Sequence, residues 1–228
     1  MIQKEPIFIT GIQRSGSTMI AKILQQSGVF CGEVNSTMEH YKIGYLIGEM
    51  CRKNNSDVKG QYPLPKFLPS TPIKFQTRLE NCIKEEGYED GKNWFIKGHR
   101  LAQYWKVFHT IYPNAKWIIV RRRTPDVIES CLKTAYMNRF NDLTILKSIR
   151  KKTVEEGWLW WIHKNESFLN GLIRSTSNYQ VVWPERMAQG DYSQIQELHK
   201  WLGIDYNEKD IKKLIEPMME HSKQKVRK

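Results

Sequence analysis

The sequence predicts an α/β fold in three layers, with a mostly parallel central sheet flanked by helices. Two observations support this prediction: short apolar runs alternate with longer segments of helical period, and a glycine-rich loop follows the first apolar run. The 228 residues are enough for one sizeable core, and 40% of them are apolar. We therefore expect residues 1–228 to form a single domain, with residues 31–93 as an insertion over one end of the sheet.

Four short apolar runs are the candidate strands of this sheet, and helical segments separate them. The predicted strands are Pro6–Thr10, Asn93–His99, Ala115–Val120 and Tyr179–Trp183. The predicted helices are 17–28, 38–52, 73–86, 100–113, 124–137, 153–173, 191–204 and a last one from Glu208 into a frayed basic tail. Thr124 is expected to cap one helix, and either Asp191 or Ser193 another.

Three polar clusters follow the first, second and third predicted strands. The first, Gly11–Thr18, reads GIQRSGST and matches the phosphate-loop pattern G-x-x-x-x-G-K-[ST], except that Ser17 replaces the lysine. The other two clusters are Lys97–His99 and Arg121–Arg123. Because ligands of open parallel sheets bind beyond the carboxyl ends of the strands, we expect the three clusters to lie along one edge of the fold.

These clusters, in this order, resemble the PAPS-dependent sulfotransferase family, whose donor is 3'-phosphoadenosine 5'-phosphosulfate (PAPS). GIQRSGST is similar to the family's 5'-phosphosulfate loop, P-[RK]-S-G-[ST]-T, and IKGH to the K-x-H that supplies the catalytic base. IIVRRRTPDVIES resembles the 3'-phosphate segment, in which an arginine precedes a helical serine by eight positions. VVWPERMAQGDYSQIQELHKWLGI is a weaker match to the late strand, the Y-E-D-type loop and the next helix, so the resemblance covers about half of the chain.

The resemblance implies a P-loop-like nucleotide-binding fold and in-line transfer of a sulfuryl group from PAPS to an acceptor hydroxyl or amine. Backbone N–H groups and hydroxyls of the loop can hold the phosphosulfate without a loop lysine, and no metal is expected. The residues implied at this end are Arg14, Ser15, Gly16, Ser17 and Thr18. Arg14 and Lys97 would stabilise the leaving oxygen. His99, two positions after Lys97 on the same side of the predicted strand, would act as general base.

The resemblance places the 3'-phosphate between Arg122 and Ser130, which keep the family's eight-residue spacing. Pro125 lies three residues after Arg122, whereas the family's proline commonly lies two residues after the arginine, so Arg123 remains an alternative. Trp183 is as well suited to stacking on adenine as to packing in the core.

The acceptor is expected to be a small molecule or a glycan, and the sequence does not identify it further. Glu39, His40 and Tyr41 either line its pocket or cap a helix. Lys and Arg outnumber Asp and Glu by 36 to 24, and this surplus allows an acidic acceptor. The family's C-terminal R-K-G-type loop has no counterpart, so either Arg121 or a lysine of the tail replaces it, or the donor binds less tightly. The sequence does not indicate the oligomeric state.

Two other functions are disfavoured. The first is a small-molecule or nucleotide kinase with a degenerate phosphate loop, which would lack the lysine that contacts the terminal phosphates. The second is a nucleic-acid-binding protein, which the dispersed basic residues disfavour. The N-terminus has no signal-peptide pattern, and no run approaches the roughly 18 apolar residues of a membrane span. The cysteines are scattered, which is typical of reduced thiols in a cytoplasmic protein. They are Cys31, Cys51, Cys82 and Cys131.

Overall fold

The computed structural model describes residues 2–66 and 69–224, and the side chains of the last helix as far as Pro217. Four strands form a sheet within these residues: β1 (Ile7–Gly11), β2 (Phe95–Lys97), β3 (Lys116–Val120) and β4 (Tyr179–Val182). Their order is β2-β1-β3-β4, and every neighbouring pair is parallel. Because β1 lies inside the sheet, the loop that follows it emerges between the carboxyl ends of β2 and β3.

Helices cover both faces of the sheet. In the described residues they are α1 (Ser17–Gln26), α2 (Tyr41–Lys53), α3 (Phe75–Glu85), α4 (Arg100–Gln103), α5 (Trp105–Ile111), α6 (Thr124–Leu132), α7 (Leu143–Ser148), α8 (Val154–Ser175), α9 (Pro184–Ala188), α10 (Ser193–Leu202) and α11 (Glu208–Gln224). The predicted frayed end of the tail falls on residues 225–228, outside the described residues. None of the described helices combines the length and the apolar character needed to cross a lipid bilayer.

Each face of the sheet carries its own apolar cluster. On one face, Phe8 and Trp117 pack with α2, α3, α5 and α8. On the other face, Ile9 and Ile118 pack with α1, α10 and α11. Successive strand residues point to opposite faces, so burial of both faces explains why the strands are apolar throughout. The structure confirms the predicted three-layer α/β fold with a parallel sheet.

The turn after β2 differs from the prediction. The strand ends at Lys97, and the N–H of Gly98 still donates to the β1 carbonyl of Ile9 at 3.0 Å. Thr10 Oγ1 then donates to the carbonyl of Gly98 at 2.9 Å, which holds the turn into α4 against the end of β1. His99 has helical backbone angles, with φ −67° and ψ −29°. The prediction that His99 continues the strand beside Lys97 is therefore wrong, because the chain enters α4 first.

The predicted helix over 100–113 is divided into α4 and α5 at Tyr104, whose φ of −112° and ψ of 21° leave the helical region. The Tyr104 hydroxyl lies 2.5 Å from Ser56 Oγ in the insertion. The helices α2 and α3 of the insertion lie in the same apolar cluster as Phe8 of β1. The helices of the insertion therefore share a core with one face of the sheet, while Cys31 and Met38 pack in the cluster on the other face.

Both predicted helix caps are shifted. The residue before α6 is Arg123, and Thr124 is instead the first residue of that helix. The residue before α10 is Tyr192. Asp191 still contributes to the start of α10, since its Oδ1 accepts from the backbone N–H of Ser193 at 3.0 Å. The shift is one residue in each case, and it leaves the sites at the strand ends in place.

Candidate functional site

A cleft of about 450 Å³ opens at the carboxyl ends of β1, β2 and β3. Its lining combines all three predicted polar clusters with parts of the insertion and of α9. The lining residues are Gln13, Arg14, Ser15, Gly16, Ser17, Thr18, Met19, Thr37, Glu39, Lys97, His99, Arg122, Tyr136, Pro184, Glu185 and Ala188. A larger, shallower hollow of about 660 Å³ lies beside β4, and no histidine or carboxylate is among the described residues that line it.

The loop between β1 and α1 has the backbone of an anion-binding loop. Arg14 and Gly16 have left-handed φ angles of 72° and 92°, and such reversals turn successive N–H groups toward one point. The φ of Gly16 favours glycine, and a Cβ there would also lie 3.1 Å from Pro184, a tight contact. No side chain caps the following helix, which begins at Ser17. Its first N–H groups are therefore open to an anion in the cleft.

The arginines after β3 separate into three different environments. Arg121 pairs with Glu166 of α8 at 2.9 Å. Arg123 is exposed and pairs with Asp126 at 2.9 Å. Arg122 instead lines the cleft, where its Nη1 donates to the backbone carbonyl of Arg14 at 3.2 Å. Of the two alternatives for the 3'-phosphate, Arg122 is the one that faces the candidate site.

Arg14 joins the anion loop to α6. Its Nε donates to Ser130 Oγ at 2.9 Å, although the two residues are 116 positions apart. A guanidinium carries further N–H donors in the same plane, so Arg14 can keep this contact and still offer hydrogen bonds to a ligand. The structure thus brings Ser130 next to the loop, although Ser130 is not among the described residues that line the cleft.

Glu39, Lys97 and His99 form a compact group of titratable side chains on the side of the cleft to which the insertion contributes. Glu39 Oε1 lies 3.2 Å from Lys97 Nζ and 3.7 Å from His99 Nδ1. The side chain of Glu39 is 22% exposed, that of Lys97 6% and that of His99 11%. His99 therefore reaches the same carboxylate as Lys97 even though the two residues do not share a strand.

The pKa values of all three groups lie below their ordinary values, for different reasons. Burial alone would raise the pKa of Glu39, but the hydrogen bond from His99 and the charges of His99 and Lys97 outweigh it and hold this pKa far below its usual range. Burial lowers the pKa of Lys97 and that of His99, while Glu39 opposes both shifts. Glu39 is therefore ionised at neutral pH, and the His99 imidazole is neutral there.

The insertion residues left open by the sequence take different roles. Glu39 lines the cleft, which is one of the two roles that the sequence left open for it. His40 caps α2, since its Nδ1 accepts from the N–H of Ile43 at 3.2 Å. Tyr41 is 61% exposed on the outside of α2 and does not line the cleft.

Trp183 does not line the cleft. It precedes α9, and its backbone N–H donates to Gln194 Oε1 at 3.0 Å. Pro184 and Ala188 face the cleft instead. The sequence indicated that Pro184 would face the cleft, because Pro184 stands where the family's Y-E-D-type segment has its tyrosine.

Several lining residues were missed by sequence reasoning. Gln13 lies inside the recognised loop, but its position carries proline in the quoted pattern, so no role was assigned. Thr37 and Tyr136 lie in segments without a motif and are brought to the cleft by tertiary packing. Within the described residues, no three side chains of His, Cys, Asp or Glu are grouped closely enough to hold a metal ion.

Comparison with known proteins agrees with the observed fold. Residues 6–208 match the model of a family described as the Sulfotransferase family. The sulfotransferase STF9 from Mycobacterium avium has a similar structure, with a TM-score of 0.56 at 11% identity over 96% of this chain and 68% of the other. No curated protein is significantly similar to the chain in sequence.

Two further solved structures are similar in fold. The sulfotransferase domain from the curacin biosynthetic pathway has a TM-score of 0.57 at 14% identity, over 90% of this chain and 77% of the other. The sulfotransferase domain from the Synechococcus PCC 7002 olefin synthase has a TM-score of 0.52 at 15% identity, over 91% and 76%. At such identities the likeness concerns the fold alone.

Proposed function

Because the chain belongs to the sulfotransferase family, we propose that it moves a sulfuryl group from PAPS to an acceptor hydroxyl or amine. The observation that carries this proposal is the contact between Arg14 Nε and Ser130 Oγ, at 2.9 Å. It joins the anion loop to the helix that follows the arginine cluster within one cleft. A single nucleotide with a phosphosulfate and a ribose phosphate therefore has donors for both of its anionic ends.

The donor is held by two sets of groups. Backbone N–H groups at Gly16 and at the start of α1, together with the hydroxyls of Ser15, Ser17 and Thr18, bind the phosphosulfate. Arg122 and Ser130 bind the 3'-phosphate, which distinguishes PAPS from a nucleotide without that group. This binding requires no metal ion.

The adenine ring packs on the apolar surface of α9 that faces the cleft. Pro184 and Ala188 supply this surface, whereas Trp183 does not line the cleft. The phosphosulfate binds between the loop and Lys97.

The chemical step moves one proton and exchanges one S–O bond. The acceptor oxygen or nitrogen forms a bond to sulfur, and the bond between sulfur and the bridging oxygen breaks, with its electron pair remaining on that oxygen. Arg14 and Lys97 stabilise the charge that develops there. His99 Nε2 takes the proton of the acceptor, and Glu39 stabilises the resulting imidazolium through Nδ1–H.

The acceptor enters from the side covered by residues 31–93. Thr37 and Glu39 of this insertion line the cleft, and the carbonyl of Lys59 lies 3.1 Å from His99 Nε2. The insertion and the sheet act as one domain, and the acceptor is a small molecule or a glycan. The four free thiols support a cytoplasmic location.

Thermal unfolding tests donor binding without an acceptor. Adenosine 3',5'-bisphosphate (PAP), added without metal at 100 times its Kd, is expected to stabilise the fold by about 2.7 kcal/mol, whereas ATP is not. Radiolabelled sulfuryl transfer from PAPS to lysate acceptors then tests the reaction, with His99→Ala as the variant expected to lose it. An absence of stabilisation by PAP would contradict the proposed donor.

A further inference from the structure

The turn over residues 34–40 of the insertion contacts both the donor loop and the candidate base. Thr18 Oγ1 of the donor loop donates to the Thr37 carbonyl of this turn at 3.2 Å. The turn also carries Glu39, whose Oε1 lies 3.7 Å from His99 Nδ1. The conformation of the turn therefore determines where the Glu39 carboxylate lies relative to the base.

Asn35 forms the hydrogen bonds that hold this turn. Its side-chain Oδ1 accepts from the backbone N–H of Thr37 at 2.9 Å, from that of Glu39 at 3.1 Å and from Thr37 Oγ1 at 2.7 Å. The Asn35 N–H donates to the Glu39 carbonyl at 3.0 Å. Asn35 therefore binds both backbone polar groups of Glu39. The two N–H donors also fix the orientation of the Asn35 amide, because its NH₂ group in that place would face other donors.

The side-chain bonds of Asn35 hold the turn around a residue in a costly conformation. Met38 has a φ of 63°, in the left-handed region that residues with a Cβ adopt at a cost. Without Asn35 Oδ1, the N–H groups of Thr37 and Glu39, on either side of Met38, would lose their partners. Met38 could then return to an ordinary φ, and that rotation would displace Glu39.

The groups around His99 make such a displacement measurable. Burial lowers the pKa of His99, Glu39 raises it, and the charges of Arg100 in α4 and Lys97 in β2 lower it. The carbonyl of Lys59 also lies 3.1 Å from Nε2. Arg100, Lys97 and Lys59 all lie outside the turn. A displaced turn would therefore remove the charge that raises this pKa and leave the opposing groups in place.

We propose that Asn35 is a positioning residue that holds the Glu39 carboxylate beside Lys97 and His99. This inference rests on the proposed function, in which Glu39 stabilises the imidazolium that forms when His99 takes the acceptor proton. Among the described residues, the side-chain hydrogen bonds of Asn35 all lie within the turn. Asn35 therefore acts on the base through Glu39.

Nuclear magnetic resonance of the full chain with ¹⁵N-labelled histidine tests this proposal without donor or acceptor. The ring signals of His99, assigned with His99→Gln, give its pKa. Asn35→Ala is expected to lower this pKa by about one pH unit, because the charge of Glu39 moves away from the ring. Asn35→Asp keeps an accepting oxygen in the same place and should not lower it. Asn141→Ala, at an exposed asparagine, is the matched control and should leave it unchanged.

The same change in a Glu39→Gln background separates positioning from a general structural role. If Asn35 acts through the Glu39 carboxylate, Asn35→Ala should have no further effect on the pKa of His99 once that charge is absent. An equal fall in both backgrounds would overturn the proposal, and so would an unchanged pKa in the folded Asn35→Ala variant.

Asn35→Ser keeps the test valid if the alanine variant does not fold. Its hydroxyl can still accept from the N–H of Thr37, but it is one bond shorter, so the N–H of Glu39 loses its partner. The pKa of His99 should fall by less than in Asn35→Ala, and the absence of any fall would contradict the role of Asn35. Because no turnover is measured, this outcome differs from a failure of sulfuryl transfer, which would concern the proposed function instead.

Discussion

The two ends of the cleft are built in different ways. The donor end consists of residues that directly follow strands, with exposed arginines and a backbone loop whose shape depends on Gly16. The acceptor end is assembled from Glu39, Lys97 and His99, and its charged side chains are largely buried. Changes at the donor end should therefore reduce binding, whereas changes at the acceptor end should also alter pH dependence and stability.

Removal of His99 should give the largest effect and should separate the two ends most sharply. In His99→Ala, transfer from PAPS is expected to fall by about 10²- to 10⁴-fold, because the acceptor proton has no base. PAP should still raise the melting temperature as in the wild type, since the donor end is intact. Transfer at the wild-type rate would remove His99 from the mechanism.

Loss of the Glu39 charge should lower the free energy of unfolding by about 3 kcal/mol at neutral pH, because Lys97 would be left buried without its partner. Glu39→Gln is the variant. The folded pKa of Glu39 lies below its ordinary value of 4.5, so the stability it provides is present above that pH and lost as the pH falls further.

Thermal unfolding of wild type and Glu39→Gln across acid pH measures this contribution. The difference in melting temperature should be greatest above pH 4.5 and shrink below it. Glu85→Gln is a suitable control, since Glu85 pairs with Lys42 at an exposed site. A difference that stays constant with pH would contradict the assigned pKa shift.

The arginines after β3 provide a matched pair at the donor end. Arg122→Ala is expected to weaken PAP binding by about 10- to 100-fold, because charge-assisted hydrogen bonds to the phosphate are lost. Arg123→Ala should change it by less than about 2-fold, since Arg123 pairs with Asp126 on the surface. Isothermal titration with PAP measures both, and the reverse order would assign the 3'-phosphate to Arg123.

Ser130→Ala is expected to have a smaller effect on PAP binding than Arg122→Ala. The hydroxyl accepts a hydrogen bond from Arg14 and, in the proposed complex, donates one to the 3'-phosphate, so PAP affinity should fall by about 3- to 10-fold. The pKa of His99 should remain unchanged, because Ser130 belongs to the donor end. Isothermal titration with PAP checks the affinity. Nuclear magnetic resonance spectra of the chain with ¹⁵N-labelled histidine check the pKa of His99.

The two ends also differ in how far the sequence predicted them. The loop, Arg122 and Ser130 were predicted from motifs of a strand end and the helix after it, and the structure brings the loop and Arg122 to the cleft and Ser130 to Arg14. His99 was predicted from a strand motif, but the strand ends at Lys97. Trp183 was assigned two alternatives, and it does not line the cleft. Gln13 was inside the recognised motif, yet its contacts depend on Lys59, 46 positions away.

The sequence by itself determined the order of strands and helices, the two-sided burial of the sheet and the anion loop. Each of these depends on apolar periodicity or on backbone geometry over a few residues. Only the tertiary structure decided that Glu39 meets Lys97, 58 positions along the chain, and that Arg14 meets Ser130. The first contact follows from how the insertion packs beside β2, and the second from how the loop after β1 packs against α6. Packing of distant segments leaves no periodic signal in the sequence.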